Sequence, residues 1–589
     1  MDPQRFTADR NIPKTVFRSA HHRLLEHHRL LLLILLTAFV LRIWGVWNAD
    51  STDEYNEVFE ALRVCSGHLN LERWGKRFYL YILSVEYGIY YSVGRILHLF
   101  DSPIDFATKI VRNLTPLFIL GRATSAIFGT ASVFMTYLIG KSFGNKTVGL
   151  VAALFLCFNV VNIELSHFAR VDSTLCLVVL ISFFFIVKIH VHDPSLGTLC
   201  KYYALAGLFS GIAFQTKLPA VILIIPFLAA HLLRNQTKNL RNAIFSRELA
   251  YYAGSFLVGL IIGNPAVLFA PLQFLTSFLN MGSVYTTPLN EVQSQHIGFI
   301  AYLMYFHHEL GALLALLAGY SIIRALLSRN HHDVILLSFL LPFYLLMGAS
   351  KYMVSSSYMI PLMPFLYLLS SKYLVATIYN RNWTPRNRKL TLVLACGLLL
   401  FHPITNAFSF DLSMSGPNTR VLAKYWIEEN IPPGSKILMD SGKSINSFAP
   451  MIAENRESLM RMLSFKKNAL EQGTFVDPTR ILDKNSLIYY ELLLKTVPKE
   501  SYDITSTMFG LEVASIDYYI TNNFDYLIIS ANIKQSRTTA YFRREHRDVA
   551  TFYSSLDKDD RLALIRVFEP GRLNRGDTFF IYAIGHQHS

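Results

Sequence analysis

The chain has 589 residues, of which 52% are hydrophobic and only 16% are charged. The apolar residues stand in long blocks that approach the length needed to cross a ~30 Å hydrocarbon layer, which indicates a membrane protein and excludes a soluble enzyme. The formal net charge of +14 does not predict nucleic-acid binding, because residues 411–589 hold 22 basic and 22 acidic side chains and the whole excess lies in the apolar part.

Apolar segments follow one another from residue 30 to about residue 410 and predict about eleven transmembrane helices. A helix satisfies its backbone hydrogen bonds within one segment, as lipid requires. The short loops 234–247 and 381–389 each carry four Lys or Arg residues and no acidic residue. The positive-inside rule predicts that these loops are cytoplasmic. Counting spans from them leaves residues 1–29 in the cytoplasm and residues 411–589 outside.

Two outer segments and the tail complete the predicted organisation. Residues 48–114 form an outer-surface loop in which 79–100, with five tyrosines and several charges, is expected to lie along the membrane surface as an interfacial belt. Residues 266–300 are predicted to be another extracytoplasmic loop, long enough to cover a site. The tail has an ordinary composition with helix and strand patterns. The expected fold is a polytopic α-helical membrane domain over 30–410, followed by a soluble extracytoplasmic α/β domain over 411–589.

Metal-binding patterns are weak in this chain. The five cysteines are scattered, and none stands at a metal-ligand spacing, so neither a disulfide nor a thiolate site is expected. His307, His308 and Glu309 do not predict zinc, because adjacent residues point to different faces of a helix.

An acidic pair, Asp53-Glu54, follows the first predicted span directly and is expected just outside the membrane. A carboxylate placed there suits a general base that works near the headgroup of a membrane lipid. Tyr55 comes next and is expected to line a substrate groove. The alternative is a solvated helix start in which Ser51 or Thr52 is the cap.

A second polar cluster, from His167 to Asp172, stands between two apolar segments at the same predicted face. Arg170 suits a phosphate. Asp172 is placed to hold a metal, to orient an acceptor or to assist Asp53, and His167 is expected in the substrate groove. The alternative is an Arg170–Asp172 pair that only caps the end of a span.

Lys217 interrupts a hydrophobic stretch at the outer end of a predicted span. An ionisable residue at that depth is a functional-site hypothesis by default, and we expect Lys217 to bind a phosphate. The alternative is a lysine that extends to the interface. Lys351 and Tyr352, at the outer end of another span, are similar phosphate-binding candidates.

The order of these features resembles glycosyltransferase family 39 and its GT-C-fold relatives, which include protein O-mannosyltransferases and the lipid A aminoarabinose transferase. The resemblance rests on the acidic pair and on four further motifs: Gly121–Gly129, His167–Ser173, Thr216–Pro219 and Tyr358–Pro364. It covers most of residues 30–410. Residues 418–434 are similar to the tails of prokaryotic members.

The resemblance implies an inverting transfer of a hexosyl- or pentosyl-type sugar from a polyprenyl-phosphate or dolichyl-phosphate carrier to an acceptor outside the cytoplasm. It implies Asp53 as the general base and Asp172 as a second essential carboxylate. A divalent metal at Asp53 and Asp172 stays open, since members differ in metal dependence. The expected partners are the donor, membrane lipids and a lipid, glycan or protein acceptor, without nucleic acid.

A transporter or flippase of lipid-linked sugars is the main alternative function. It would also need many spans and buried cations, but transporters tend to have internal repeats and mid-membrane polar residues. The chain shows no repeat, and its candidate charges cluster at one face. The sequence therefore favours an enzyme in the plasma membrane of a prokaryote.

Overall fold

The computed structural model describes the chain except for residues 1–13, 51, 68–76, 192–194, 236–244, 288–295, 329, 353, 441–448, 472–483, 508 and 586–589. Side chains are described from residue 27 onward, apart from those of these residues and of residues 52, 53, 77, 277, 281–286, 469, 470 and 484–486.

The described chain is mostly helical as far as residue 430. Its helices in this part are α1 Lys14–Ile43, α2 Thr52–Cys65, α3 Arg77–Ile96, α4 Pro103–Arg112, α5 Thr115–Phe143, α6 Lys146–Cys157, α7 Val160–Ser166, α8 Val171–Val191, α9 Leu196–Thr216, α10 Ile224–Arg234, α11 Arg247–Gly263, α12 Ala266–Phe269, α13 Pro271–Thr286, α14 Gly298–Ser328, α15 His331–Gly348, α16 Met363–Tyr379, α17 Pro385–Ser413 and α18 Thr419–Asn430. Short 3-10 helices occupy Leu218–Leu223 and Ser356–Met359.

Five helices in the described part of the chain, α5, α8, α14, α15 and α17, are long and apolar enough to cross a membrane. The pair α6–α7, bent by 63°, makes a sixth span if the two helices cross together. The break occurs where Asn159 accepts a hydrogen bond from the backbone of Asn162 and starts a new helix. An integral membrane protein is therefore confirmed, whereas the expected count of eleven spans is not.

Glycines allow helices α9 and α11 to pack at very short range. A Cβ atom on Gly207 or Gly211 would collide with backbone atoms of α11, and one on Gly259 would collide with the backbone of α9. Spacing of small residues by four is the usual means by which membrane helices bring their backbones together. This contact holds the end of α9, where Lys217 follows.

The segment expected to form a surface belt is helix α3, but two of its tyrosines are in the protein interior. Tyr79 and Tyr87 are completely buried. Their hydroxyl groups donate to the backbone carbonyls of Gly121 and Leu117. The expectation of an interfacial role was wrong for these two rings, because α3 packs against α5 and needs large side chains to fill the contact.

The segment 266–300, predicted as an extracytoplasmic connection between two spans, contains helices. Helices α12 and α13 and the first three residues of α14 fall within it.

The tail contains a five-stranded sheet, three strands of which were predicted near residues 436–439, 524–530 and 578–584. Its strands are β1 Lys436–Met439, β2 Asp503–Ser506, β3 Tyr526–Ser530, β4 Leu562–Phe568 and β5 Phe579–Ile584, in the order β2-β1-β3-β5-β4. Strand β1 is parallel to β2 and β3, whereas β5 is antiparallel to β3 and β4. Around it lie α19 Arg456–Glu471, α20 Lys484–Leu494, α21 Ile516–Thr521, α22 Ala531–Arg537, α23 Ala540–Glu545 and α24 Arg547–Ser555.

Candidate active site

Several helix ends meet at one end of the bundle. The imidazole of His167, just after α7, lies 2.7 Å from the carbonyl oxygen of Trp44, just after α1. The amide of Asn48 donates to the carbonyl oxygen of Met414, just after α17. These contacts collect the predicted site segments on one face, as the sequence indicated.

Glu54 is completely buried and is held by three hydrogen bonds. The Nε and Nη2 atoms of Arg122, on α5, donate to its two carboxylate oxygens at 2.7 and 2.8 Å. The backbone N–H of Ala169 donates to the same carboxylate at 2.7 Å. Arg122 also donates to the carbonyl oxygen of Val46. Glu54 therefore joins α2, α5 and the segment before α8.

Asp53 stands beside Glu54 in the first turn of α2. Its side chain lies outside the described residues. Its backbone position follows from the anchoring of Glu54, since the two residues are adjacent in one helical turn.

Asp172 lies at the start of α8, and two cations contact its carboxylate. The ammonium of Lys217 donates to Oδ1 at 2.9 Å, and Nε of Arg170 lies 3.4 Å from Oδ2. The Asp172 side chain is 1% exposed, whereas those of Lys217 and Arg170 are 15% and 23% exposed. Lys217 also sits 4.3 Å from the ring centre of Tyr358, a cation–π distance. One buried carboxylate thus holds two partly open cations.

The structure gives His167 a supporting position. It is completely buried. Its Nδ1 and Nε2 atoms lie 2.9 and 2.7 Å from the carbonyl oxygens of Ile163 and Trp44. This geometry fixes the end of α7 against the end of α1.

Tyr55 is also buried, at the junction of the membrane helices and the tail. Its ring lies beneath the guanidinium of Arg420, with 5.7 Å to the centroid, and its hydroxyl donates to Sδ of Met451. Arg420 forms an ion pair with Asp50. Burial raises the pKa of Tyr55 to about 12, against a smaller opposing effect of Arg420. Tyr55 therefore stays neutral at physiological pH.

Lys351 and Tyr352 come shortly after the end of α15. The carbonyl oxygen of Lys351 accepts a hydrogen bond from the backbone of His296 at 2.7 Å. Lys351 is exposed and Tyr352 is half-buried.

Two ion pairs that the motif analysis did not foresee link the helices to the tail. Besides Arg420 with Asp50, Arg575 lies 2.8 Å from Glu164 of α7. Asp50 lies three positions before Asp53, and Glu164 is a charge in an apolar segment, which requires a partner. The partners lie hundreds of residues away, so only the fold reveals them.

The described carboxylates do not fit a divalent metal. Within the ranges that the structure describes, no three His, Cys, Asp or Glu side chains stand close enough together to hold an ion. Asp172 is engaged by two cations, which a metal would have to displace. We therefore derive no step through a metal.

The chain is similar to known membrane glycosyltransferases. A family model described as dolichyl-phosphate-mannose-protein mannosyltransferase matches residues 105–288, a segment that holds Arg122, Asp172 and Lys217. No curated protein sequence matches the chain.

One solved structure, ArnT, shows the fold. Apo ArnT from Cupriavidus metallidurans matches with a TM-score of 0.50 at 11% identity, over 96% of this chain and 98% of that chain. The apo oligosaccharyltransferase of Archaeoglobus fulgidus matches with a TM-score of 0.49 at 12% identity, over 86% of this chain and 70% of that chain. The resemblance to GT-C-fold proteins that the motifs predicted is therefore confirmed.

Proposed function

We propose that this GT-C-fold membrane protein is a glycosyltransferase that moves a hexosyl- or pentosyl-type sugar from a polyprenyl-phosphate carrier to an acceptor, with inversion. The observation that carries the proposal is the group of Asp172, Lys217 and Arg170 at the bundle end where Asp53 stands in the first turn of α2. The match to a family described by a dolichyl-phosphate-linked mannose supports this class of donor.

The cation pair suits the phosphate of the donor. Lys217 and Arg170 each bring a positive charge to this site, and a positive charge attracts the anionic phosphate of the donor. Because Asp172 is buried and the cations are partly open, the carboxylate orients them and the cations meet the ligand. Positioned cations stabilise the charge that develops on a leaving phosphate.

Asp53 is the proposed general base. It accepts the proton of the acceptor hydroxyl or amine while the acceptor atom forms a bond to the anomeric carbon. The bond between that carbon and the phosphate oxygen breaks, and its electron pair leaves with the polyprenyl phosphate. Attack opposite to the leaving group inverts the anomeric centre.

The residues around the base have supporting roles in this proposal. Glu54 and His167 hold α2, α5 and α7 in register, since their polar atoms are occupied by the hydrogen bonds described above. The ring of Tyr55 packs against the guanidinium of Arg420 and so holds that side chain in place. Lys351 and Tyr352 are second candidates for contact with the phosphate.

We further propose that the site faces the exterior of a prokaryotic plasma membrane. Basic residues gather at the opposite ends of the helices, at the ends of α5 and α10 and at or just before the starts of α6 and α17: Lys141, Lys146, Arg234, Arg381, Arg386 and Arg388. The positive-inside rule then favours a cytoplasmic location for that face.

The test is the release of polyprenyl phosphate and the labelling of acceptor in lipid nanodiscs. The donors are polyprenyl-phosphate sugars with a radiolabelled sugar, and membrane extract supplies the acceptor. Wild-type protein should transfer the label with inversion, whereas Asp53→Asn should lose transfer and Lys217→Met should transfer less label at a donor concentration near the wild-type KM. Lys109→Met is the matched control, because Lys109 is an exposed lysine that pairs with Asp105.

The transporter alternative makes the opposite prediction. A flippase would move labelled donor across proteoliposome membranes and leave the sugar–phosphate bond intact. Donor translocation without release of polyprenyl phosphate, for every sugar tested, would overturn the proposal.

A further inference from the structure

A polar cavity of about 300 Å³ lies between the membrane helices and the tail. Its wall on the membrane side includes Asp50, Glu164 and Arg170, and its wall on the tail side includes Asn418 and Arg575. The volume is at the lower end of the range of small-molecule pockets, about 300–1,000 Å³. It suits one or two sugar rings better than an extended chain.

The cavity adjoins the proposed transfer site on two sides. Arg170 is part of its wall and also contacts Asp172. Asp50 is part of its wall and lies three positions before Asp53 in the sequence. A group bound here would therefore present its atoms to the region between the proposed base and the proposed phosphate site.

The charges of the cavity wall are neutralised in pairs. Asp50 pairs with Arg420, and Glu164 pairs with Arg575 at 2.8 Å. Arg170 pairs with Asp172. An anionic ligand would meet as many carboxylates as guanidinium groups, so the cavity favours a neutral ligand. Paired charged groups still offer lone pairs and N–H groups side by side.

This mixture of donors and acceptors matches vicinal hydroxyl groups. Each hydroxyl donates one hydrogen bond and accepts others, and the wall presents carboxylates, guanidinium groups and the amides of Asn48 and Asn418. The ring of Phe168 adds an apolar surface for the carbon side of a sugar.

A peptide fits this cavity less well. Backbone recognition needs free N–H and C=O groups along a groove or strand edge. In this cavity, backbone groups of the wall already form hydrogen bonds to other segments: the Gly416 N–H donates to the carbonyl oxygen of Leu573, and the carbonyl oxygen of Met414 accepts from the side-chain amide of Asn48. Side chains supply the remaining polar atoms.

We propose that this cavity is the subsite for the acceptor and that it binds a neutral saccharide, such as the terminal sugar of a glycan or glycolipid. The proposal rests on the glycosyltransferase function proposed above. The donor also carries a sugar, so the experiments must separate an acceptor subsite from a donor-sugar subsite.

The first experiment measures occupancy without catalysis. Ser413 lines the cavity and is replaced by cysteine, a change of similar size, in a Cys65→Ser background that removes the exposed native thiol. The protein is placed in nanodiscs free of glycosidic detergent, because a maltoside would itself be a saccharide. Methyl α-mannopyranoside or methyl β-glucopyranoside should slow maleimide labelling of the new thiol by at least threefold, whereas inorganic phosphate should not.

The second experiment identifies which substrate occupies the subsite. Octyl α-mannoside and a Ser/Thr peptide are supplied as acceptors to wild type, Glu164→Gln and Asn418→Ser. The serine retains a capping hydroxyl for α18 but lacks the amide. Both variants should raise the KM for the mannoside at least tenfold and change the KM for the donor less than twofold. Glu428→Gln, at an exposed pair with Lys424, is the matched control.

Three results would overturn the inference. They are a raised KM for the donor instead of the mannoside, glycosylation of the peptide but of no saccharide, and labelling of the Ser413→Cys thiol that no saccharide slows. Failure of the proposed function is distinguishable, because it would abolish release of polyprenyl phosphate even with water as acceptor, while saccharide protection of the thiol would persist.

Discussion

Replacement of Arg122 by methionine should strongly destabilise the membrane domain, because it leaves a buried carboxylate without its cation. Glu54 is completely buried and receives two of its three hydrogen bonds from Arg122. Removal of one partner of a buried ion pair costs about 3–5 kcal/mol, since the remaining charge stays desolvated. We expect a loss of that size in the free energy of unfolding.

A second substitution tests the cause. In the Arg122→Met background, Glu54→Gln removes the charge but retains an oxygen that can accept from the N–H of Ala169. The double variant should therefore be more stable than Arg122→Met alone, by about 2 kcal/mol or more, since replacing both members of a buried pair is often near neutral. If the two substitutions destabilised the protein independently, the double variant would instead be less stable than Arg122→Met alone.

The assay is unfolding by SDS in mixed micelles, followed by the reaction of the buried thiols of Cys157, Cys176 and Cys396 with a maleimide dye. Matched samples of Lys109→Met report the effect of losing an exposed ion pair, about 0–1 kcal/mol. The reasoning is refuted if Arg122→Met lies within 1 kcal/mol of wild type. It is equally refuted if the double variant is the least stable of the set.

Further predictions concern catalysis, the donor, pH and helix packing. Asp53→Asn should lower kcat by about 10²–10⁴-fold, the usual contribution of a general base, with unchanged SDS unfolding; a fall in both would assign Asp53 a structural role. Lys217→Met should raise the KM for the donor by about tenfold or more, as expected for one charge-assisted contact of about 1.5–3 kcal/mol, and an unchanged KM would move the phosphate elsewhere. Burial raises the pKa of Asp440, just after β1, well above its ordinary value. The contribution of Asp440 to the stability of the tail is therefore complete below its unfolded pKa of about 4 and declines as pH rises toward its folded pKa. Asp440→Asn should make the protease resistance of the tail less dependent on pH between 4 and 7. Gly211→Val should separate α9 from α11 and lower the unfolding temperature, because the valine side chain would collide with the backbone of Phe256. Gly397→Val, at a position with open space around it, should leave the unfolding temperature unchanged.

The sequence predicted the parts of the site whose position follows from span counting. Asp172 and Lys217 lie near the ends of α8 and α9, so alternation of direction was enough to bring them to one face, and they are in contact. The tail was predicted as α/β because short apolar strands alternate with amphipathic segments, a local signal. The motifs that resemble those of protein O-mannosyltransferases could also be identified from the sequence, since each is a short contiguous segment.

Side-chain pairing was beyond the sequence, because it depends on helix rotation. Arg122 stood in a quoted motif, but nothing in the motif shows that it meets Glu54, 68 positions earlier. Tyr79 and Tyr87 resembled an interfacial belt because tyrosine is common both at membrane surfaces and in helix contacts. The 63° break between α6 and α7 also escaped prediction, since residues 148–165 predict one span although Asn159, which caps α7, stands within them.

In the proposed mechanism, the two residues of the acidic motif have different roles. Successive residues of an α-helix stand about 100° apart around its axis, from 3.6 residues per turn, so Asp53 and Glu54 occupy different positions around α2. Three donors from α5 and the segment before α8 fix Glu54, and they thereby fix the rotation of α2 in its first turn. In the proposed mechanism, Glu54 thus holds the backbone of the residue that acts as the base. An exchange of Asp53 and Glu54 should therefore lower both stability and turnover.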